Sequence, residues 1–367
     1  MKTSSFASMR RGLGKRLGVV GACVAMASAL AGGLATGAGG SASPRRSLPH
    51  AKLTTVNIGI VPFYAYAATA LGEQKGIFAH YGLNVVLQPA SNINIILAEM
   101  HSGQVQLGYA STSLLATGDE KGQNVRCVAP VEDADIVIPS YPENAIMVAA
   151  NSSISSLKDL NGKTVAVNQP GGSNELFLKA AVEQAGGNFS SINITTVPFA
   201  DMAAALKSGA VDAAFEVPPF IQLGEKAGEQ KLLADTDSLT AGLTAQCYMA
   251  TNGYIQHDNA VLTRFVQAQD QAILYAKAHP ALANAEIPKV SGLSAAQAKL
   301  AVPPKLVYSD NLEPSTIVKY ELFMAKFGYL GGRVLPLDEV AWVAKGTPMK
   351  RLYFNTAGKY VGPPSKG

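Results

Sequence analysis

Residues 83–89 read Leu-Asn-Val-Val-Leu-Gln-Pro, and residues 192–198 repeat the pattern as Ile-Asn-Ile-Thr-Thr-Val-Pro, 109 residues later. Residues 101–106, His-Ser-Gly-Gln-Val-Gln, return in the same order as Lys-Ser-Gly-Ala-Val-Asp at residues 207–212, 106 residues later. Each match alone is a common junction of helix, glycine and strand. Two matches in the same order at nearly constant spacing indicate that the chain contains one structural unit twice.

Strand and helix patterns alternate around both copies. The first copy has strand patterns at residues 56–61, 83–87 and 105–109, with helical patterns at 65–75 and 94–102. The second has strand patterns at residues 164–167, 192–197 and 211–215, with helical patterns at 175–184 and 200–208. Such alternation favours parallel pairing. We therefore predict an α/β fold of two similar lobes, each with a mixed, mostly parallel sheet, joined by two hinge crossings.

The predicted lobe boundaries follow from the strands that connect the two copies. We expect residues 144–251 to form lobe 2, entered by a strand at 145–150 and left by a return strand at 246–251. Lobe 1 then comprises residues 52–143 and 252–360, with helices at 261–278, 294–301 and 315–328 packing back on it. Residues 361–367 form a polar C-terminal tail.

The N-terminal residues 1–43 have the pattern of a signal peptide: a basic start, an apolar run at 17–34 and small residues before Pro44. We expect an exported protein, in the periplasm or at the cell surface. The paired Arg10 and Arg11 leave the general and twin-arginine routes both open. Cys23 leaves lipid attachment open as an alternative, although the apolar run before it is short. No later apolar run has the length of a membrane span.

The charge and the cysteines exclude several classes of function. The formal charge of +4 includes five basic residues before position 44, where no acidic residue occurs, so the remainder carries −1. This charge argues against nucleic acid and anionic membrane surfaces as partners. Cys127 and Cys247 offer no metal-binding spacing. Export would permit a disulfide, but no spacing rule supports one, and we expect two buried thiols.

Three stretches carry a family resemblance: residues 73–85 (Glu-Gln-Lys-Gly-Ile-Phe-Ala-His-Tyr-Gly-Leu-Asn-Val), 156–167 (Ser-Leu-Lys-Asp-Leu-Asn-Gly-Lys-Thr-Val-Ala-Val) and 211–220. The chain resembles the substrate-binding proteins of ABC importers for aliphatic sulfonates, nitrate, taurine and thiamine precursors. The third stretch departs from the family's Trp-Glu-Pro segment, because Phe215 replaces Trp and Val217 separates Glu216 from Pro218.

The resemblance implies a periplasmic-binding-protein-like fold of type II that closes on a small molecule and delivers it to a membrane permease and, indirectly, its ATPase. It implies no cofactor, and we expect a monomer. A thiamine pyrimidine or another heterocycle is the alternative ligand, and a sensory binding module is the alternative role.

Ligands of open α/β sheets bind beyond the carboxyl ends of the strands, which selects six loops, three from each lobe. The glycines of the loop at residues 169–174 allow close approach of a ligand, and the helix that follows offers free N–H groups to an anion. A plain turn with a Ser173 cap is the alternative. The candidate ligand-binding residues are Phe63, Tyr64, Tyr66, Ser91, Asn92, Tyr109, Ser111, Thr112, Gly171, Gly172, Ser173, Asn174 and Glu216.

Each of these residues has an ordinary structural alternative. The aromatic residues could form walls of a pocket or could pack at a lobe edge. The hydroxyl and amide side chains could bind ligand or cap their own helices and turns. We expect no enzyme, because the histidines are scattered and form neither a nucleophile motif nor a metal spacing. An enzyme of the thiamine-pyrimidine synthase type would carry a cysteine-rich motif that this chain lacks.

Overall fold

The computed structural model describes residues 52–113, 124–131, 142–240, 243, 246–300, 314–329 and 341–342. The predicted signal peptide, Cys23 and the C-terminal tail lie outside the described residues. Within the described part, the strands form two five-stranded sheets.

The first sheet contains the predicted strands of the first copy. Its strands are β1 Thr54–Ile60, β2 Leu83–Pro89, β3 Leu107–Ser111, β4 Val125–Pro130 and β10 Gln246–Thr251, in the order β2-β1-β3-β10-β4. Strand β1 pairs in parallel with β2 and β3, whereas β10 pairs antiparallel with β3 and β4. Four strands therefore run in one direction and β10 runs against them.

The second sheet repeats this arrangement. Its strands are β5 Ala145–Ala149, β6 Thr164–Val167, β7 Asn193–Thr196, β8 Ala213–Glu216 and β9 Gln230–Asp235, in the order β7-β6-β8-β5-β9. Strand β6 pairs in parallel with β7 and β8, and β5 pairs antiparallel with β8 and β9. The predicted class of two similar lobes with mixed, mostly parallel sheets is confirmed.

Helices connect the strands of both sheets, and further helices follow β10 towards the end of the chain. Those of the first copy are α1 Ala67–Gln74, α2 Ile77–His80 and α3 Ile93–Ser102, and those of the second are α4 Ser173–Gln184, α5 Phe199–Ser208, α6 Phe220–Lys226 and α7 Asp237–Thr240. After β10 follow α8 Asn252–His257, α9 Asn259–Ala278, α10 Pro280–Asn284, α11 Ile287–Val290, α12 Ala295–Leu300 and α13 Pro314–Lys326. Short 3-10 turns occupy Tyr64–Tyr66, Leu157–Leu160 and Phe189–Ser191.

The repeated helix, glycine and strand junction explains why the two copies fold alike. Helix α3 ends at Gly103 and helix α5 ends at Gly209, with φ of 76° and 72°. This left-handed conformation is accessible to glycine without a steric penalty, and it turns the chain directly into the next strand. The four residues Ala145 to Val148 of β5 are fully buried, as expected for a strand between two covered faces.

The helices after β10 do not all return to the first sheet. Helix α9 packs on α1, where Gly72 leaves room for Ala272. Helix α13 instead contacts α4 of the second copy, because the Phe177 ring lies 6.0 Å from that of Tyr320 and 6.1 Å from that of Phe323. The expectation that the last helix packs on lobe 1 is therefore incomplete. The predicted lobe boundaries stay a prediction, although β10, counted with lobe 2, pairs in the first sheet.

Cys127 and Cys247 form a disulfide, which corrects the expectation of two free thiols. Their Cα atoms lie 5.7 Å apart, because β4 and β10 are neighbours in the first sheet. Both residues are fully buried. The bond closes a loop that contains every strand of the second sheet.

Candidate functional site

A small cleft lies between the edges of the two sheets where the parallel strands end. Its empty volume, including the part open to solvent, is about 360 Å³. Residues of the first sheet and its helices line one side: Val61, Phe63, Ile93, Tyr109, Ser111 and Gln246. Residues of the second line the other: Asn168, Gln169, Gly172, Ser173, Asn174, Phe199 and Val217.

The two sides of the cleft use equivalent positions of the repeat. Ile93 is the first residue of α3 and Phe199 the first residue of α5, and 199 − 93 = 106 is the spacing of the repeated junction. Ser111 and Val217 follow the same spacing, since 217 − 111 = 106. The lobes therefore face each other through the same structural edge.

Aromatic rings form one wall of the cleft around Phe63. Its ring centroid lies 5.2 Å from that of Tyr109 and 6.1 Å from that of Phe199 on the opposite side. Phe199 in turn stacks on Phe220, with centroids 6.0 Å apart and planes inclined by 16°. Edge and offset contacts of this kind fix the orientation of the rings. The wall is a rigid apolar surface for a ligand.

The polar wall is built around the start of α4. Gly172 precedes this helix and supplies no side-chain cap to its first N–H groups, and Gly172, Ser173 and Asn174 line the cleft. The Oε1 atom of Gln169 accepts a hydrogen bond of 3.3 Å from the backbone N–H of Ile93, which links the two sides. The Oε1 atom of Gln246 is buried and has no hydrogen-bonding partner among the described residues.

The described residues that line the cleft are uncharged: each of their side chains is apolar, aromatic, a hydroxyl or an amide. Within the described ranges, no group of three or more His, Cys, Asp or Glu residues is arranged to hold a metal ion. None of the helices in these ranges combines the length and apolar character required to cross a membrane.

Six of the thirteen candidate residues line this cleft: Phe63, Tyr109, Ser111, Gly172, Ser173 and Asn174. The other seven, Tyr64, Tyr66, Ser91, Asn92, Thr112, Gly171 and Glu216, lie outside the lining. Their part in ligand binding stays a prediction. Asn92 has a structural role as well, because its Oδ1 accepts from the N–H of Ile95 at 3.2 Å and caps α3. Gly171 donates its N–H to Oε2 of Glu175 at 2.9 Å.

Glu216 lies at the end of β8 beneath α6, not in the cleft. It is fully buried, and its Oε2 accepts a hydrogen bond of 2.8 Å from Nε2 of Gln230. Burial is the main cause that raises the pKa of Glu216 to about 8, while the Gln230 hydrogen bond opposes the shift and the charge of Glu225 adds to it.

Seven lining residues were absent from the candidate set: Val61, Ile93, Asn168, Gln169, Phe199, Val217 and Gln246. Phe199 could have been predicted from the repeat, because it is the position equivalent to Ile93 at the start of the corresponding helix. Gln169 and Val217 lie in loops that the strand-end rule selects. Gln246 begins an antiparallel strand, and that rule does not cover it.

Comparisons with known proteins show similarity in sequence and in fold to binding proteins. A protein of Escherichia coli (strain K12), named as an aliphatic sulfonates-binding protein, is 29% identical over 216 residues, covering 58% of this chain. The chain matches 63% of that relative, somewhat less than two thirds of its length.

Solved structures share the fold at low identity. The alkanesulfonate-binding protein SsuA from Xanthomonas axonopodis pv. citri, bound to MOPS, has a TM-score of 0.63 at 20% identity, covering 80% of this chain and all of that one. The nitrate-binding protein NrtA from Synechocystis PCC 6803 has a TM-score of 0.62 at 14% identity, covering 79% and 86%. The desulfurization enzyme DSZB has a TM-score of 0.56 at 15% identity, covering 78% and 96%.

These structures establish the fold of periplasmic binding proteins, which the sequence predicted. A family model adds a direct match in sequence. The model described as NMT1/THI5 like matches residues 65–283, more than half of the chain. The chain therefore belongs to the NMT1/THI5-like family.

Proposed function

We propose that this protein is an extracytoplasmic solute-binding protein that captures a small oxyanion, such as a sulfonate, between its two lobes and delivers it to an ABC importer. The observation that carries the proposal is the cleft itself, where equivalent edges of two repeats meet around one uncharged polar wall and one aromatic wall. The names of the sulfonate- and nitrate-binding neighbours support this ligand class.

The uncapped start of α4 is the feature that favours an anion. A helix N-terminus carries a partial positive charge and free N–H donors, which together suit a sulfonate or nitrate group. The aromatic wall around Phe63 suits the apolar part of an organic sulfonate. An amino-bearing ring would need an acceptor such as a carboxylate, and Glu216 lies outside the lining. The heterocycle is therefore the second choice.

The test is a calorimetric titration with alkanesulfonates, taurine, nitrate and an aminopyrimidine. We expect a sulfonate to bind, and the Ser173→Ala variant to bind it about 10- to 100-fold more weakly, the effect of losing one hydrogen bond to a charged group, about 1.5–3 kcal/mol. Ser190→Ala is the matched control, because Ser190 is exposed, lies outside the lining and is not a candidate ligand-binding residue. If every anion fails to bind, or if both variants bind as the unaltered protein does, the proposal is wrong.

We further propose a role in binding without chemical conversion. The described residues of the lining include hydroxyl groups but no histidine, cysteine or carboxylate that could activate one as a nucleophile. The enzyme among the structural neighbours makes this worth testing. Mass spectrometry of a sulfonate after long incubation with the protein should recover it unchanged. A converted product would establish an enzyme instead.

Export, a monomeric state and docking on a permease complete the proposal. The basic and apolar pattern of residues 1–43 supports export. Intact-mass measurement of the exported protein should give an N-terminus between residues 39 and 44. Light scattering should give the mass of one chain, and a permease reconstituted with its ATPase should require this protein for uptake.

A further inference from the structure

Glu216 and Gln230 form a buried polar pair directly behind the second-sheet wall of the cleft. Glu216 is the last residue of β8, and the next residue, Val217, lines the cleft. Gln230 is the first residue of β9 and is 3% exposed. Their side chains are joined by the hydrogen bond from Nε2 of Gln230 to Oε2 of Glu216.

The backbone of α6 fixes the orientation of the Gln230 amide. Its Nε2 also lies 3.4 Å from the carbonyl oxygens of Phe220 and Ile221. A flipped amide would direct its oxygen at these carbonyls and at the carboxylate, which are all acceptors. Gly224 makes the approach of α6 feasible, because a Cβ atom at this position would collide with the Gln230 side chain. The amide oxygen must therefore point away from the carbonyls.

Two acceptors are then left without a donor. The Oε1 atoms of both Glu216 and Gln230 are buried and have no hydrogen-bonding partner among the described residues. Buried polar atoms are normally paired, since an unpaired one costs about 1–3 kcal/mol. A single proton on Glu216 would supply the missing donor.

The surrounding charges give an ionised Glu216 no compensation. The negative charge of Glu225 on α6 repels a negative charge on Glu216. The lysines of the packed elements are paired or exposed: Lys207 of α5 pairs with Glu229 at 2.6 Å, Lys231 of β9 donates to the carbonyl of Ser152 at 2.8 Å, and Lys226 of α6 is exposed. The remaining charged residues of α5 and β9, Asp201 and Asp235, are acidic and offer no positive charge. Strand β5 carries no charged residue. An isolated buried carboxylate is strongly unfavourable.

We propose that Glu216 is a neutral carboxylic acid in the folded protein, that it donates its proton to Oε1 of Gln230, and that this reciprocal pair positions the Val217 side of the cleft. The shift caused by burial, to a pKa of about 8 from the ordinary 4.5, agrees with this geometry. Glu216 is thus a positioning residue of the cleft. Only its effect on ligand rests on the proposed function, because the protonation itself is a property of the folded chain.

The proposal gives the protein a specific pH dependence. In the unfolded chain Glu216 ionises near pH 4.5, whereas in the folded chain it keeps its proton until about pH 8. Between these values the folded state binds one proton more, so stability falls as pH rises. The unfolding equilibrium constant should rise about tenfold per pH unit in this window from Glu216 alone, and the contribution should level off above pH 8.

The Glu216→Gln variant tests this, because a glutamine amide reproduces the donor and acceptor of the neutral acid and cannot ionise. Urea unfolding of the ligand-free protein and of the variant is compared at half-unit steps from pH 5 to 9. The ratio of their unfolding constants should rise about tenfold per unit up to pH 8 and then stay constant. Glu225→Gln, on the adjacent helix α6, is the matched control, and it should retain the slope. A ratio that does not change with pH would overturn the proposal.

Two further measurements test the protonation of Glu216 and its positioning role separately from stability. Infrared difference spectra are recorded at pH 7, above the pKa of about 6 to which burial raises Asp237. The unaltered protein should show a protonated carboxyl group that is absent from Glu216→Gln, and the same band in both would overturn the assignment. If a sulfonate binds, its affinity should fall above pH 8 in the unaltered protein and stay constant in Glu216→Gln. Equal falls in both would overturn the positioning role, while failure of every ligand to bind would count against the proposed function alone.

Discussion

The disulfide between Cys127 and Cys247 makes a quantitative prediction about stability. The two residues are separated by 120 positions, so the bond closes a very long loop in the unfolded chain. In the chain-entropy description, a loop of this length lowers the entropy of the unfolded state by about 16 cal/mol/K, which corresponds to about 4.9 kcal/mol at 25 °C. We expect reduction to lower the free energy of unfolding by about 3–5 kcal/mol, a large share of a typical 5–15 kcal/mol.

The assay is equilibrium unfolding in urea, with and without a reductant. The single tryptophan, Trp342, reports on the first sheet, because its backbone N–H donates to the carbonyl of Cys127 at 2.8 Å. Circular dichroism reports on both sheets. The double variant Cys127→Ala, Cys247→Ala should resemble the reduced protein and should be insensitive to reductant. Because both sulfur atoms are buried, the native protein should resist reduction until denaturant unfolds it.

A loss below about 1 kcal/mol on reduction would refute the entropic reasoning. So would an effect of the reductant on the double variant, because that variant has no bond to reduce. A change in the dependence on urea concentration, without a change in midpoint, would instead assign the effect to the compactness of the unfolded chain.

Two further predictions concern packing and a contact of the C-terminal segment. Gly108→Ala should destabilise the protein by about 1–3 kcal/mol, because the new methyl group would collide with Met100 and Ile96 of α3. Gly253→Ala should be nearly neutral, because its methyl group would make only an ordinary contact of 3.9 Å with Oγ1 of Thr251, and urea unfolding compares the two variants. Tyr329→Phe removes the 2.9 Å hydrogen bond to Oε1 of Glu175 and should cost about 0.5–1.5 kcal/mol. An equal loss in a Glu175→Ala background, which lacks the acceptor, would show that the bond is not the cause.

The fold was predictable because local and repeated features carry it. Gly103 and Gly209 end equivalent helices, and this chemistry is visible in the sequence. The disulfide was not predictable by the same means. Cys127 and Cys247 meet only because β10 inserts between β3 and β4, and strand order is a property of the whole sheet.

The site was predictable in part for the same reason. The strand-end rule placed Tyr109 and Ser111 at the cleft, because parallel strands end at a common edge. It also selected Glu216, which ends a strand but lies outside the cleft lining, beneath α6. Gln246 was missed, since it begins an antiparallel strand at that same edge. Which face a strand-end residue takes depends on what covers it, and the periodicity of the sequence does not contain that information.

The strand order has a consequence for how the chain could be divided. Strands β1 to β5 come from one copy of the repeat and β6 to β10 from the other, yet β5 lies in the second sheet and β10 in the first. Each copy thus lends its last strand to the other, as the subunits of a domain-swapped dimer do. Each lent strand fills an interior position, so neither copy could complete its sheet alone. The chain is topologically a swapped dimer whose two subunits have been fused into one polypeptide.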